Sequence, residues 1–345
     1  MGRNDIGGMG FVRVPGFLKR INLKNIMKRT ALYIMVPFFV IALTSAAFVQ
    51  DTATEYLLKV RYRLNIMNHY STTETTTVTR TFSDNTKREY KRDVIYFFTL
   101  TQLSLPSQEF QEIEVKIDSM KYKFSEGEKE IIANTEDEDF GETVYTEDLS
   151  TTVIPNAKSF ITTYSPYGDF AKNTSETISQ LKDYLAKHSK TSPDTMKRIT
   201  WENQLSDNHL QYISDIRKIL LPINPIKKDS IWKSPIKARL DGKTFVDTVD
   251  AWIAHIEVGE IFIEAVSNMP KFLDNYGLFY GIRFPLKIDS TAGRFKYTFS
   301  IDPFGNINHT EGLYSARIHA RSNNERFTDS VTVTTKTMIL GRYKY

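Results

Sequence analysis

Residues 56–66 read YLLKVRYRLNI, and their alternation decides the fold class. Tyr56, Leu58, Val60, Tyr62, Leu64 and Ile66 share one phase, and Leu57, Lys59, Arg61, Arg63 and Asn65 the other. Side chains of an extended chain point alternately to opposite sides. The period of two therefore predicts a strand with one buried and one mainly charged face. A threonine-rich strand is expected next, near Thr72–Phe82, with a turn at Ser83-Asp84-Asn85. Asp93–Leu103 is apolar in both phases and suits a central strand. Gln111–Ser125 is again extended. Its apolar phase switches from Val115 and Ile117 to Met120, Tyr122 and Phe124, which predicts a bulge or bend.

Residues 173–221 change character. Asn173 and Glu176 have capping-box spacing, and Ile178, Leu181, Tyr184 and Leu185 fall on one helical face. Ser192-Pro193 opens a second expected helix, whose stripe of Ile213, Ile216, Ile219 and Leu220 runs to Pro222 and Pro225. Strands resume with Trp252/Ala254/Ile256/Val258, Ile261–Val266, Phe279–Ile288, Phe295/Tyr297/Phe299/Ile301, Leu313–Ala320 and Ser330–Leu340. The expected class is mainly β (α+β): antiparallel sheets in two half-domains, 48–172 and 222–345, with a central two-helix insertion at 173–221. Lys116-Ile-Asp-Ser and Lys287-Ile-Asp-Ser, each followed by an alternating aromatic strand, form an internal echo that duplication or chance explains equally well.

Ahead of the first strand stands MKRTALYIMVPFFVIALTSAAFVQ, residues 27–50. Lys28 and Arg29 precede an apolar core, Ala31–Leu43, and small residues follow at 44–47, the pattern of an export signal cleaved after Ala46 or Ala47. Carried on to Val49, the run has the length of an uncleaved anchor, which is the alternative. Met27 is a better natural start than Met1. Residues 1–47 hold seven Lys or Arg against Asp5, so the chain's net +4 and pI of 8.9 belong to this leader. The remainder carries net −2, which removes the main support for nucleic-acid binding. With no cysteine in 345 residues, disulfides, thiolate metal sites and cysteine nucleophiles are excluded.

Four pieces carry a resemblance. They are Tyr56-Leu-Leu-Lys-Val-Arg-Tyr-Arg-Leu64, Glu114-Val-Lys-Ile-Asp-Ser119, Tyr164-Ser-Pro-Tyr-Gly-Asp-Phe170 and Leu221-Pro-Ile-Asn-Pro-Ile-Lys-Lys-Asp-Ser-Ile-Trp232. Their order and spacing over residues 50–345 resemble a family of secreted β-rich proteins of Bacteroidota-type bacteria, a domain of unknown function. Lys227-Lys228-Asp229 departs from the glycine-bearing turn expected there. The resemblance implies export and a β-sheet fold with a helical insertion. It implies no activity, cofactor or site residue. Physically, Ser165–Asp169 reads as a turn and Leu221–Trp232 as an irregular crossover that Trp232 plugs.

No catalytic, cofactor-binding or metal-binding residue is assigned. His69, His188, His209, His255, His309 and His319 form no His-x-x-x-His pattern. His255 with Glu257, and Arg317, His319 and Arg321, read as solvated strand faces. The acids at 136–139, with Glu142, Glu147 and Asp148, lack calcium-loop spacing and read as a solvated loop. Ser179/Lys182 and Ser234/Lys237 have serine–lysine spacing without the accompanying elements of penicillin-interacting enzymes. Asp241-Gly242 looks like a hairpin turn. The aromatics, 22 Phe, 18 Tyr and 3 Trp, build a β core or line an apolar cavity.

The first expectation is an exported, non-enzymatic envelope protein of the periplasm or cell surface of a Gram-negative bacterium. It would bind a lipid or other apolar ligand, or an envelope protein partner, in a sheet–helix cleft. Membrane contact would come only through an uncleaved leader. The alternatives are an outer-membrane β-barrel, prompted by Tyr343, Ile339, Val333 and Val331 in one phase near a terminal Tyr345, and an envelope hydrolase without a recognisable motif.

Overall fold

The computed structural model describes residues 54–104, 110–136, 159–176, 214–240, 243–267, 282–323 and 325–344, with short pieces elsewhere. The leader and the acidic run beyond Glu136 lie outside the described residues. The strands in chain order are β1 (Glu55–Tyr56), β2 (Ile66–Phe82), β3 (Lys87–Gln102), β4 (Gln111–Glu126), β5 (Lys129–Asn134), β6 (Phe160–Tyr164), β7 (Phe170–Thr174), β8 (Ile226–Lys227) and β9 (Trp232–Leu240). They continue as β10 (Lys243–Glu257), β11 (Glu260–Ser267), β12 (Lys271–Phe272), β13 (Tyr276–Phe279), β14 (Ile282–Pro285), β15 (Lys287–Ile301), β16 (Ile307–Ser322) and β17 (Glu325–Lys344). The protein is mainly antiparallel β.

Among the described residues, thirteen strands form one sheet, in the order β12-β10-β11-β15-β16-β17-β2-β3-β4-β6-β7, with β5 beside β4 and β9 beside β10. The two β regions read from the sequence share this sheet, because β17 pairs with β2 from Phe327↔Phe82 to Lys344↔Ile66. Among the described residues no strand pairs β7 with β9 or β12, the strands at the two ends of this sheet.

Alternation assigns the faces. Tyr70 and Val78 of β2, Tyr90, Val94 and Phe98 of β3, Tyr122 and Phe124 of β4, Tyr314 and Ile318 of β16, and Val331 and Val333 of β17 are buried on the inner face. The outer face of the central strands carries Thr73, Thr75, Thr77 and Thr79, then Lys87, Glu89, Lys91 and Asp93, then Arg317, His319 and Arg321. A membrane-spanning barrel needs the reverse, an apolar band facing outward. At the positions named here the outer face does not show that band.

The sheet is curled. Tyr297 on β15 hydrogen-bonds the Ile216 carbonyl, and Tyr164 on β6 hydrogen-bonds Ser214, although six interstrand steps separate β15 from β6. In a flat sheet those strands lie about 29 Å apart. Two residues of chain cover about 7 Å. Only curling lets both tyrosines reach one short segment.

The opening segment fills the inside of this curl. Leu58, Val60 and Tyr62 are buried while Leu57, Arg61 and Arg63 are exposed, so the alternation of burial is as expected. The expected strand is not formed: only Glu55–Tyr56 pairs regularly, with β8, and residues 57–63 stay outside the ladders. Val60 donates its amide to the Pro166 carbonyl, Arg61 donates to Gly305, and Gln111 Nε2 donates to the Val60 carbonyl. Gly305 adopts φ 89°, and a Cβ there would come within 3.1 Å of the Lys59 carbonyl and Arg61 amide. Burying each apolar side chain of this segment contributes about 1.5–3 kcal/mol.

The bulge read from the phase switch in β4 is present. Phe98 pairs with Ile117 and Phe97 with Ser119, leaving Asp118 as the extra residue. The echoed Lys287-Ile-Asp-Ser does the same in β15, where Ile288 pairs with Ala320 and Ser290 with His319 around Asp289. Both bulged strands lie two strands from the central β17–β2 ladder. They are reached in opposite chain order, β2-β3-β4 against β15-β16-β17, which a simple tandem repeat does not produce.

Two further bulges correct the sequence reading. One between Ile253 and His255 turns Val249, Ala251 and Ile253 inward with Ile256, so Trp252 and Ala254 do not share its face. The other, between Ile339 and Gly341, puts Tyr343 opposite Met67, on the outer face and out of phase with Ile339.

The two-helix insertion is not seen among the described residues. Glu176, Ser179, Gln180, Asp183 and Lys187 are helical, and most of the rest up to residue 209 lies outside the described residues. At the far end only Leu210, Gln211 and Ser214 are helical. The expected stripe through Ile216, Ile219 and Leu220 is turn and extended chain instead, with Lys218 in the left-handed region at φ 64°.

A candidate ligand cleft at the seam

The curl brings the β6–β7 hairpin towards β9 and β10, and residues 214–221 lie in the seam between them. Ser165–Asp169 makes the expected turn: Ser165 and Asp169 are bridged through backbone, and the Ser165 hydroxyl accepts the amides of Tyr167, Gly168 and Asp169. Gly168 takes φ 113°, which an L side chain rarely adopts. On the other side Leu220 donates its amide to Ser234 Oγ, and Trp232 Nε1 donates to the Leu220 carbonyl at 3.0 Å. Trp232 thus plugs the crossover as expected.

Arg217 fastens the segment from within. Its side chain is 3% exposed, and its Nε lies 2.9 Å from Asp215 Oδ1. Its Nη1 donates to the carbonyls of Ser165 and Pro166, and the guanidinium sits 5.3 Å from the Tyr164 ring centroid. Burial works against the charged guanidinium, but the charge and hydrogen bond of Asp215 outweigh it and hold the group above its ordinary value.

What remains open in the seam is a cleft of about 420 Å³. Gly168, Asp169 and Phe170 form one wall, and Pro235, Ile236, Val246 and Asp247 the other. Gln211, Asp215, Lys218, Ile219 and Leu220 form the floor. Lys218 also borders a small inner cavity of about 40 Å³ among Thr72, Glu74, Tyr96, Phe98, Tyr297 and Thr337. Burial pulls its amine down to about 8, a shift that the Asp215 and Glu74 carboxylates oppose. A left-handed lysine on a partly buried floor is a strained arrangement of the kind that collects at ligand sites.

Tyr70, Phe98, Tyr122, Phe124, Phe160, Tyr164, Phe299 and Tyr314 are all fully buried, so these aromatics build core. Of the other sequence candidates, Ser234 Oγ is engaged with Leu220 and with the Pro235 carbonyl, and has no catalytic geometry. His255 stacks on Phe262 at 4.1 Å on the outer face, and Glu257 stands beside it. Arg321 pairs with Asp289 and His319 bonds Thr328, a solvated face as read. Leu240 pairs with Lys243, and the expected turn at Asp241-Gly242 lies outside the described residues. Sequence reading missed Lys218, because a lysine inside an apolar stripe carries no motif.

No protein-family model and no curated protein sequence matches the chain. Among solved structures, lipovitellin, from a study of its lipid–protein interactions, aligns at TM-score 0.46 and 9% identity over 82% of this chain. This chain covers 26% of the lipovitellin chain. An outer-membrane channel of Pseudomonas putida F1 aligns at TM-score 0.25 and 6% identity, over 82% of this chain and 98% of the channel. OpdQ of Pseudomonas aeruginosa aligns at TM-score 0.22 and 9% identity, over 80% of this chain and 99% of that one. Likenesses this distant assign no activity, ligand or location.

Proposed function

We propose that the chain is an exported, non-enzymatic envelope protein that binds an apolar ligand with an anionic head in the seam cleft. The leader pattern at 27–50 supports export, and the resemblance to the secreted family belongs to the same proposal. The carrying observation is the cleft itself: about 420 Å³, within the usual range for small-molecule sites, with Phe170, Ile219, Leu220, Ile236 and Val246 for a chain. Lys218 is the cation on the cleft floor, where the Asp215 and Glu74 carboxylates already act on its charge, and the head group would share it with them. A fatty acid is the simplest molecule with both parts.

The test is titration with a fluorescent fatty acid and its methyl ester. The acid binds and the ester binds at least tenfold more weakly, and acid binding declines as pH rises through about 8, where Lys218 loses its proton. Lys218→Met removes the preference for the acid. Equal binding of acid and ester, or a variant that behaves as wild type, overturns the proposal.

The folded lysine titrates near 8 and an unfolded one near its ordinary 10.5, so the unfolded chain holds more protons between these values and stability rises with pH there. Urea unfolding of the wild type shows this rise between pH 8 and 10.5, and Lys218→Met removes it.

A further inference from the structure

A second surface stands at the end of the sheet where β10 turns into β11 and β15 into β16. Val258 and Gly259 form the first turn, with φ of 49° and 81°, and Val258 is 96% exposed. A β-branched residue in the left-handed region costs about 1–2 kcal/mol where Asn or Gly would cost little. Nothing inside the protein repays that cost, since the side chain points to solvent. Phe304, at the tip of the neighbouring turn, is 63% exposed. The two turns touch, because a Cβ on Gly259 would lie 3.1 Å from Pro303 Cγ.

Arginines stand beside these apolar tips. Arg63 lies over the Phe304 ring at 4.1 Å, and Arg61 is tied to Gly305 by its backbone and exposed. Arg342 reaches in from the end of β17 to Asp302, at 3.2 Å. The acids at this end are mostly engaged: Asp302 holds Asn306 and Arg342, and Glu260 holds Ser300 and Asn308. Glu257 alone of these three faces solvent beside the tip.

We infer that this end docks on an anionic bilayer surface, with Val258 and Phe304 entering the headgroup–acyl boundary and Arg61 and Arg63 meeting lipid phosphates. Isolated apolar tips beside two exposed arginines fit a fluid interface better than a shaped protein surface. The inference is independent of the ligand cleft.

The absence of native cysteine allows a clean test on the full chain. Single cysteines replace Val258, Phe304 or, as a control, Ile132, which is 60% exposed on β5. Each carries a polarity-sensitive fluorophore and is mixed with phosphatidylcholine vesicles with or without phosphatidylglycerol. The probes at 258 and 304 brighten severalfold and shift to the blue only with phosphatidylglycerol, and the probe at 132 does not. Adding Arg61→Glu and Arg63→Glu abolishes the change. Because the probes report contact at the tip, a leader that anchors the chain does not mimic the result. Three outcomes overturn the inference: silent probes at 258 and 304, an equal response at 132, or a response that follows protein concentration without vesicles, which would mean that a second copy covers the tips.

Discussion

Replacing Arg217 by Ala lowers the unfolding free energy by about 3–5 kcal/mol, as expected when one partner of a buried ion pair is removed. The variant takes from the Asp215 carboxylate, whose side chain is 10% exposed, its hydrogen-bonded ion-pair partner. It also strips a donor from the carbonyls of Ser165 and Pro166. Pro166 accepts the Val60 amide as well, so the damage reaches the buried opening segment. Urea unfolding measures the loss. Arg217→Met combined with Asp215→Leu restores most of it, because apolar groups then replace the buried pair and Lys218 keeps the Glu74 carboxylate. A loss below about 1 kcal/mol, the worth of an exposed pair, would show that the seam is not held from within.

The second large effect lies on the inner face, away from the seam. Arg80 and Asp329 are cross-strand partners on β2 and β17, joined by two hydrogen bonds of 2.8 Å, with both side chains 4% exposed. Phe327 and Phe284 stack on the guanidinium at 4.4 and 5.1 Å from their centroids. Burial disfavours the Arg80 charge, but the hydrogen bonds and charge of Asp329 prevail and raise the group above its ordinary value. Arg80→Ala and Asp329→Ala each cost about 3–5 kcal/mol. The double variant Arg80→Met/Asp329→Leu lies within about 1 kcal/mol of wild type or above it, since packed apolar groups replace such pairs well. A double-mutant cycle in denaturant checks this, and additive losses would refute the coupling.

Local patterns were the legible part of this fold. Burial at Leu58, Val60 and Tyr62 followed from alternation alone, although whether those residues join a ladder depends on edges contributed by distant chain. The bulge at Asp118 was readable because two apolar runs flank it in opposite phases. Those at Ala254 and Leu340 were not, since Ile256 and Tyr343 each complete a plausible single phase. Helical spacing misled at Ile216, Ile219 and Leu220. Three residues spaced that way also fit a turn with a left-handed Lys218, and what selects the turn is Arg217 binding Asp215 and two carbonyls of a remote hairpin. The central β17–β2 ladder joins opposite ends of the chain, which no local pattern announces. The cleft was invisible for the same reason, since its walls come from residues 168–170 and 235–247.

The sheet curls until its two edge regions meet at the seam. Spin labels on Lys172→Cys, in β7, and Lys233→Cys, in β9, test it directly, because both lysines are exposed and the chain has no cysteine of its own. Ten interstrand steps separate these strands through the sheet, about 48 Å if it were flat. Across the seam the labels lie within about 30 Å, with allowance for label length on a separation set by one small-molecule cleft. A pulsed electron–electron resonance distance below about 30 Å is the expected result, and a distribution centred near 48 Å would contradict the account.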